Sequence, residues 1–302
     1  MKKIGIALGS GGARGLAHIG VLEELNNMGI RPDVVAGTSI GSLIGAGYCT
    51  GNLDEMHELV LDLDVRTLLF RYMDFGLPHS GLLEGKRIND LLETLMPEAT
   101  FEGLEKPLRC IATDLKTGEE VVFATGKLQP AIRASISIPG VFAPARMDER
   151  FLVDGGLVNP IPVDQAREMG GKRVIAVDVN HGCLDRKPLP QPQKKPSKNP
   201  VDGLIKKLDR KLRDTDNEHL EKLREWFKPD HTPNLIDVLG DTLHIIENQV
   251  GKMRLKLDAP DILLTPEVGD IEVFDFHHAA EIIEAGRTCV RARADDIKKA
   301  LR

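Results

Sequence analysis

Residues 4–41 constrain the fold more than any other stretch. An apolar run, Ile4-Gly5-Ile6-Ala7-Leu8, enters Gly9-Ser10-Gly11-Gly12-Ala13-Arg14-Gly15, then a helical repeat, then a second apolar run that ends in Gly37-Thr38-Ser39-Ile40-Gly41. The first run is short and continuous, as in a strand buried on both faces. Leu16, Ile19, Leu22 and Leu25 recur at helical spacing, Glu23, Glu24, Asn26 and Asn27 are polar, and Gly29 is a stop signal. Strand, helix and strand in so short a span make a βαβ unit, whose two strands run parallel. Helices are expected over 40–49 and 53–63.

Residues 109–115 and 119–125 read as strands joined by Lys116-Thr117-Gly118, a hairpin that makes the sheet mixed. Strands at 151–153 and 173–179 flank a helix at 165–169. A helix over 235–257, a strand at 261–266 and one terminal helix over 276–300 close the chain. The expected class is α/β, three layers, with a central, mostly parallel mixed sheet and helices on both faces. Residues 1–183 form the expected core. Residues 184–232 read as a proline-rich basic insertion or lid, since 186–200 carry five prolines and five basic residues. Residues 233–302 hold a strand and are expected to complete the same domain.

Net charge is -6, so no overall basic surplus points to nucleic acid. Across 186–213, however, ten basic residues face only Asp202 and Asp209, a local balance of +8. With Leu204, Ile205, Leu208 and Leu212 at helical spacing and Trp226 and Phe227 beyond, this segment is a candidate for peripheral contact with an anionic membrane. Cys49, Cys110, Cys183 and Cys289 form no CxxC pair, which leaves no zinc or redox motif and suits free thiols in a cytoplasm. Lys2 and Lys3 precede too short an apolar run for a signal peptide. No apolar stretch reaches the roughly 18 residues of a membrane span. The expected location is cytoplasmic.

The glycine loop fails as a nucleotide site. Gly9 and Gly11 fit a dinucleotide fingerprint, but its third glycine position is Arg14, and Gly37-Thr38-Ser39 stands where an acidic ribose ligand belongs. Residues 81–87, GLLEGKR, are one residue short of a Walker loop and lack its Ser or Thr. A glycine-rich turn before a helix still directs several backbone N–H groups to one point, which suits any oxyanion. Gly37-Thr38-Ser39-Ile40-Gly41 matches G-x-S-x-G, the turn that exposes a nucleophilic serine between a strand and a helix. Gly37 and Gly41 keep that turn uncrowded. The alternative is a tight turn with an idle serine. A base for Ser39 comes from Asp154, set at a strand end by Phe151-Leu152-Val153 and followed by Gly155-Gly156, or from His277 and His278. The two histidines are adjacent at a helix start and point about 100° apart, so they cannot share one task.

Four motifs occur in order: GSGGARG at 9–15, GTSIG at 37–41, ASISIPGVFAP at 134–144 and DGG at 154–156. Together they resemble the patatin-like phospholipase family, in the bacterial branch similar to neuropathy target esterase. The resemblance spans roughly residues 4–180, with DFHHAAEIIEAG at 275–286. It implies a patatin-like fold and a Ser–Asp dyad without histidine, Ser39 as nucleophile and Asp154 as its partner. It also implies oxyanion N–H donors from the loop at Gly11, Gly12 and Arg14, with neither cofactor nor metal. The implied substrates are acyl esters of phospholipids or lysophospholipids. The rivals are an esterase or thioesterase of soluble substrates, and a regulatory protein that keeps the fold without turnover.

Overall fold

The computed structural model describes residues 2–62, 83–183 and 235–302. The expected insertion or lid at 184–232, with its basic residues and its aromatic pair, lies outside the described residues. The chain divides into two compact units, Met1–Asp185 with Ile245–Arg302, and Arg186–His244. The described part of the second is a single stretch of helix, in which Thr242 Oγ1 donates to Val238 O at 2.7 Å.

In chain order the described elements are β1 (Ile4–Leu8), a 3-10 turn (Gly12–Leu16), α1 (Ala17–Asn27), β2 (Val34–Thr38), α2 (Ile40–Thr50), α3 (Leu53–Leu61), α4 (Lys86–Leu95), β3 (Leu108–Asp114) and β4 (Glu120–Phe123). There follow α5 (Leu128–Ser135), β5 (Ala145–Met147), β6 (Arg150–Asp154), α6 (Val163–Glu168), β7 (Arg173–Val177), α7 (Leu235–Leu257), β8 (Ile262–Leu264), α8 (Ala279–Ala292) and α9 (Ala294–Ala300). Eight strands form one sheet in the order β5-β6-β3-β2-β1-β7-β8, with β4 also paired to β3. β8, β7, β1, β2 and β3 are mutually parallel, and β4, β5 and β6 run antiparallel to their neighbours. β8 beside β7 makes the C-terminal part an edge of this sheet.

Alternation along the central strands sorts the core into two layers. Ile6, Leu8, Val35, Ile175 and Val177 face one side, where they pack with Leu22, Ile44 and Ile282 of α1, α2 and α8. Ala7, Ala36, Val174 and Ala176 face the other, against Val163 and Ala166 of α6, with Leu255 of α7 packed alongside. Small side chains on this second face let α6 lie close to the sheet.

Two expectations change. The terminal helix is not continuous: after a 3-10 turn at Phe276–His278, α8 ends at Arg293, whose φ of -110° and ψ of 12° interrupt the helix before α9. Nothing like a proline or glycine marks that break in the sequence. The strand at 151–153 is one arm of a hairpin, with β5 as its partner and Asp148 at φ 54° in the turn.

α8 docks on α1 through two glycines. A Cβ at Gly20 would overlap Ile283 O, and one at Gly286 would overlap Ala17 O. The helices therefore touch backbone to backbone. Gly20→Val is expected to cost about 3 kcal/mol, the upper range for forcing extra volume into a packed core. Chemical denaturation checks it, and an unchanged midpoint would mean that α1 and α8 tolerate separation.

Candidate active site

Strand register assembles this site. β2 runs along β3 until Thr38 lies opposite Ile111. β6 runs along β3 in the opposite sense until Asp154 lies opposite Ala112. The two strand ends therefore meet head to head beside adjacent residues of β3, and the side chains just beyond them converge. Ser39 Oγ donates to Asp154 Oδ2 at 2.5 Å, and both residues are buried. Ser39 has φ 56° and ψ -125°, a conformation that non-glycine residues rarely hold. The turn that imposes it needs the flanking glycines: a Cβ at Gly41 would strike Leu8 O and one at Gly37 would strike Gly41 O.

The ASISIPG motif brackets the pair. Ser135 Oγ accepts from Ser39 N–H at 2.9 Å and donates to Ile111 O at 2.5 Å, and Ser42 Oγ contacts it at 2.8 Å. Ser137 O accepts from Asp154 N–H at 2.9 Å. Thr113 Oγ1 donates to Asp154 O at 2.8 Å. Arg133 ties the bracket down, donating to Ser137 Oγ at 2.5 Å and to Glu84 O and Ala143 O at 3.0 Å each. Sequence reasoning had assigned these serines and Arg133 no role.

The glycine loop follows β1. The N–H groups of Gly9, Ser10 and Ala13 are spent on Val177 O (3.1 Å), Pro160 O (2.9 Å) and Val273 O (2.8 Å). Those of Gly11 and Gly12 meet no acceptor among the described residues. The buried Arg14 side chain donates from Nε to Gly11 O at 3.3 Å and from Nη1 to Cys183 Sγ at 2.9 Å. In a trans peptide the C=O and the following N–H point opposite ways. By holding Gly11 O, Arg14 fixes the direction of the Gly12 N–H. Gly11 and Gly12 sit at φ 157° and 57°. His18, buried beneath the loop, is held neutral by desolvation with its pKa lowered to about 4, and its Nε2 donates to Gly9 O at 2.8 Å.

Asp154 titrates far above the usual carboxylate range. Burial is the main cause, and the negative charge of Glu247 adds to it, while the bonds from Ser39 Oγ and from Gly156 N–H (2.8 Å) oppose it. Glu247 reaches the site from α7 and was not foreseen, because nothing distinguishes it from any polar residue of an amphipathic helix. His277 and His278 lie in the 3-10 turn at Phe276–His278, which packs against the turn of the glycine loop, and their imidazoles stand beside Asp275 (3.9 Å) and Glu281 (3.2 Å) rather than on Ser39 or Asp154. No cluster of three or more His, Cys, Asp or Glu side chains with metal-binding geometry exists among the described residues. No helix among the described residues is long and apolar enough to cross a membrane.

The family model for patatin-like phospholipase matches residues 6–167, more than half of the chain. An uncharacterized NTE family protein of Mycobacterium tuberculosis, Rv1063c, is 40% identical over 178 residues, which are 59% of this chain and 49% of that protein. A second from the same organism, Rv2565, is 30% identical over 297 residues, 96% of this chain and 46% of that one. The patatin-like phospholipase domain-containing protein ZK370.4 of Caenorhabditis elegans is 40% identical over 181 residues, 58% of this chain and 13% of that one. The chain thus spans about half the length of the mycobacterial relatives it matches. Among solved structures, VipD from Legionella pneumophila superposes with a TM-score of 0.47 at 12% identity, over 98% of this chain and 67% of that one. With the serine turn at the end of β2, the aspartate at the end of β6 and the glycine loop after β1 all inside the matched span, this chain belongs to the patatin-like phospholipase family, a family of lipid acyl hydrolases.

Proposed function

We propose that the chain is a serine lipid acyl hydrolase that cleaves acyl esters of phospholipids or lysophospholipids with Ser39 and Asp154. The observation that carries this reading is the 2.5 Å contact between Ser39 Oγ and Asp154 Oδ2, made by a strained serine where two strand ends meet. Ionised Asp154 accepts the Ser39 proton as Oγ attacks the ester carbonyl carbon. The carbonyl π electrons move onto oxygen, and the oxyanion is received by N–H groups of the loop at Gly11, Gly12 and Arg14. Collapse of the tetrahedral intermediate breaks the bond to the leaving alcohol, which takes the proton from Asp154. Water then attacks the acyl-serine, its proton passing to Asp154 and on to Ser39 Oγ as the fatty acid leaves. Neither a metal nor a cofactor enters these steps.

A carboxylate with an ordinary pKa of about 4 is a weak base near neutrality. Burial and the charge of Glu247 raise the pKa of Asp154, so its conjugate base takes a proton more readily once formed. The same shift delays its formation. Activity therefore needs the ionised form and is expected to climb with pH well above the ordinary carboxylate range, by about tenfold per unit below the effective pKa. Fluorophosphonate labelling and hydrolysis of a short-chain ester, each followed from about pH 5 to about pH 9, check the sign. Labelling of the native chain but not of Ser39→Ala, with fatty acid released from phospholipid or lysophospholipid micelles, is the expected result. Hydrolysis confined to soluble esters would favour the soluble-substrate esterase. No labelling and no turnover would favour the regulatory protein.

A further inference from the structure

α7 turns one face toward the turns that carry the site. Arg254 Nε donates to Val158 O at 3.1 Å, and its guanidinium meets Glu120 at 3.1 Å and Asp164 at 3.6 Å. One turn back along the helix, Gly251 packs beside Pro160, where a Cβ would lie in ordinary contact, 3.4 Å from Pro160 Cγ. One more turn back are Asn248, whose Nδ2 donates to Asn180 O at 3.2 Å, and Glu247. The i, i+4 and i+7 spacing of Glu247, Gly251 and Arg254 puts all three on that face.

The Glu247 carboxylate touches both halves of the site. Oε2 accepts from Ser10 Oγ at 3.1 Å and from Asn180 Nδ2 at 3.4 Å. Asn180 Nδ2 also donates to Ser10 O at 3.1 Å, which closes a ring around the second residue of the glycine loop. Oε1 lies over Gly156, so close that a Cβ there would come within 2.6 Å of it. Gly156 is the residue whose N–H holds Asp154 Oδ1 at 2.8 Å.

We propose that Glu247 is a positioning residue of this site, which locks the glycine loop to the turn after Asp154 and sets a second carboxyl group beside it. The proposal rests on the Ser39–Asp154 reading. Two carboxyl groups this close do not both ionise easily, and the pair titrates as a unit. Their surroundings decide which one keeps the proton. Burial pushes Glu247 upward too, and the Ser10 hydroxyl, the Arg14 guanidinium and the Asn180 amide offset part of that push. Asp154 faces Ser39, the Gly156 N–H and Glu247, with no cation among its influences. Asp178, beyond Arg14, is itself pushed upward by burial, and Arg14, His181 and Lys252 offset part of that push. An ionised Glu247 raises Asp154 further, and no cation offsets it there. As a general base, Asp154 is strengthened by that charge and silenced at low pH by the same charge.

The test compares native chain, Glu247→Gln and Glu247→Ala, with Ser39→Ala as control. Rates of fluorophosphonate labelling and kcat/KM for a short-chain ester are followed against pH, and folding is checked by thermal denaturation. Glu247→Gln keeps an acceptor for Ser10 but loses the charge. Its acidic limb is expected to move down by about one pH unit, with the plateau lowered no more than about tenfold. Glu247→Ala loses the bond as well, so its limb moves alike and its plateau falls further. A limb that stays in place in folded Glu247→Gln overturns the proposal, because a purely structural role lowers the rate without moving the limb. An alanine variant with native plateau and limb overturns it too. Labelling that survives Ser39→Ala removes the dyad and this proposal together, whereas Ser39-dependent labelling with an unmoved limb removes this proposal alone.

Discussion

Ser39→Ala and Asp154→Asn are each expected to lower ester hydrolysis by about 10⁴-fold or more, the scale for deleting one member of a nucleophile–base unit. The two losses should not add, since each variant disables the same proton transfer. They should differ in stability. In Asp154→Asn the side-chain carbonyl can still accept from Gly156 N–H and the amide can donate to Ser39 Oγ, so the geometry that Asp154 now holds is retained. What vanishes is a carboxyl group that burial and Glu247 keep protonated. In the unfolded chain that group has lost its proton above a pKa of about 4, while in the folded chain it still holds it. The native state therefore binds more protons, and the contribution of Asp154 to stability falls as pH rises from that value through its raised native pKa. Asp154→Asn escapes this penalty. Its melting temperature is expected to exceed that of the native chain, by a margin that widens from acid to neutral and mildly alkaline pH. Loss of activity together with a fixed or shrinking margin would mean that Asp154 is not held protonated.

Such a site stores unfavourable terms in one place: a serine at φ 56°, a buried acid and a second carboxylate beside it. The surrounding bonds from Ser135, Ser137 and Thr113 are what make the arrangement sustainable. The sequence announced part of this because local chemistry demands it. A strand that turns into a helix within a few residues needs glycines at 37 and 41, and a strand that stops at Asp154 is written as an apolar run followed by Gly-Gly. Patterns of that kind are one-dimensional. The continuous run of β1 and the helical spacing of α1 were legible for the same reason. Meetings between distant segments were not. Whether Asp154 lies next to Ser39 depends on β2 and β6 both pairing with β3 in one register, which no spacing along the chain encodes. Glu247 was hidden similarly, for its effect exists only once α7 is docked on the turn after β6. The break at Arg293 escaped because Arg-Ala-Arg-Ala are all good helix formers, and the only local sign of a new start is Asp295-Asp296, the acidic first turn of α9. β5 escaped by its length of three residues.

Gly12→Val is expected to reduce kcat by about 10² to 10³, the scale for losing one oxyanion donor. Two constraints meet at this residue. Its φ of 57° is a left-handed conformation that a β-branched side chain scarcely tolerates. Its missing Cβ leaves room for Val273, since an added one would lie 2.5 Å from both Val273 Cγ1 and Val273 O. Valine has to push that segment away or rotate the loop. The first outcome breaks the bond from Ala13 N–H to Val273 O, and the second swings the Gly11–Gly12 peptide out of the grip of Arg14 on Gly11 O. Either way the Gly12 N–H loses its direction, while Ser39 and Asp154, held by β2, β6 and the Ser135 bracket, keep theirs. The variant should therefore separate the two halves of the chemistry. Its Ser39–Asp154 pair should titrate as in the native chain, with the acidic limb unmoved, and only the plateau should drop. Fluorophosphonate labelling should slow in parallel, because the probe's phosphoryl oxygen uses the same donors. A Gly12→Val chain that folds with its strained turn and hydrolyses esters at the native rate would assign the glycine loop a purpose other than stabilising the oxyanion.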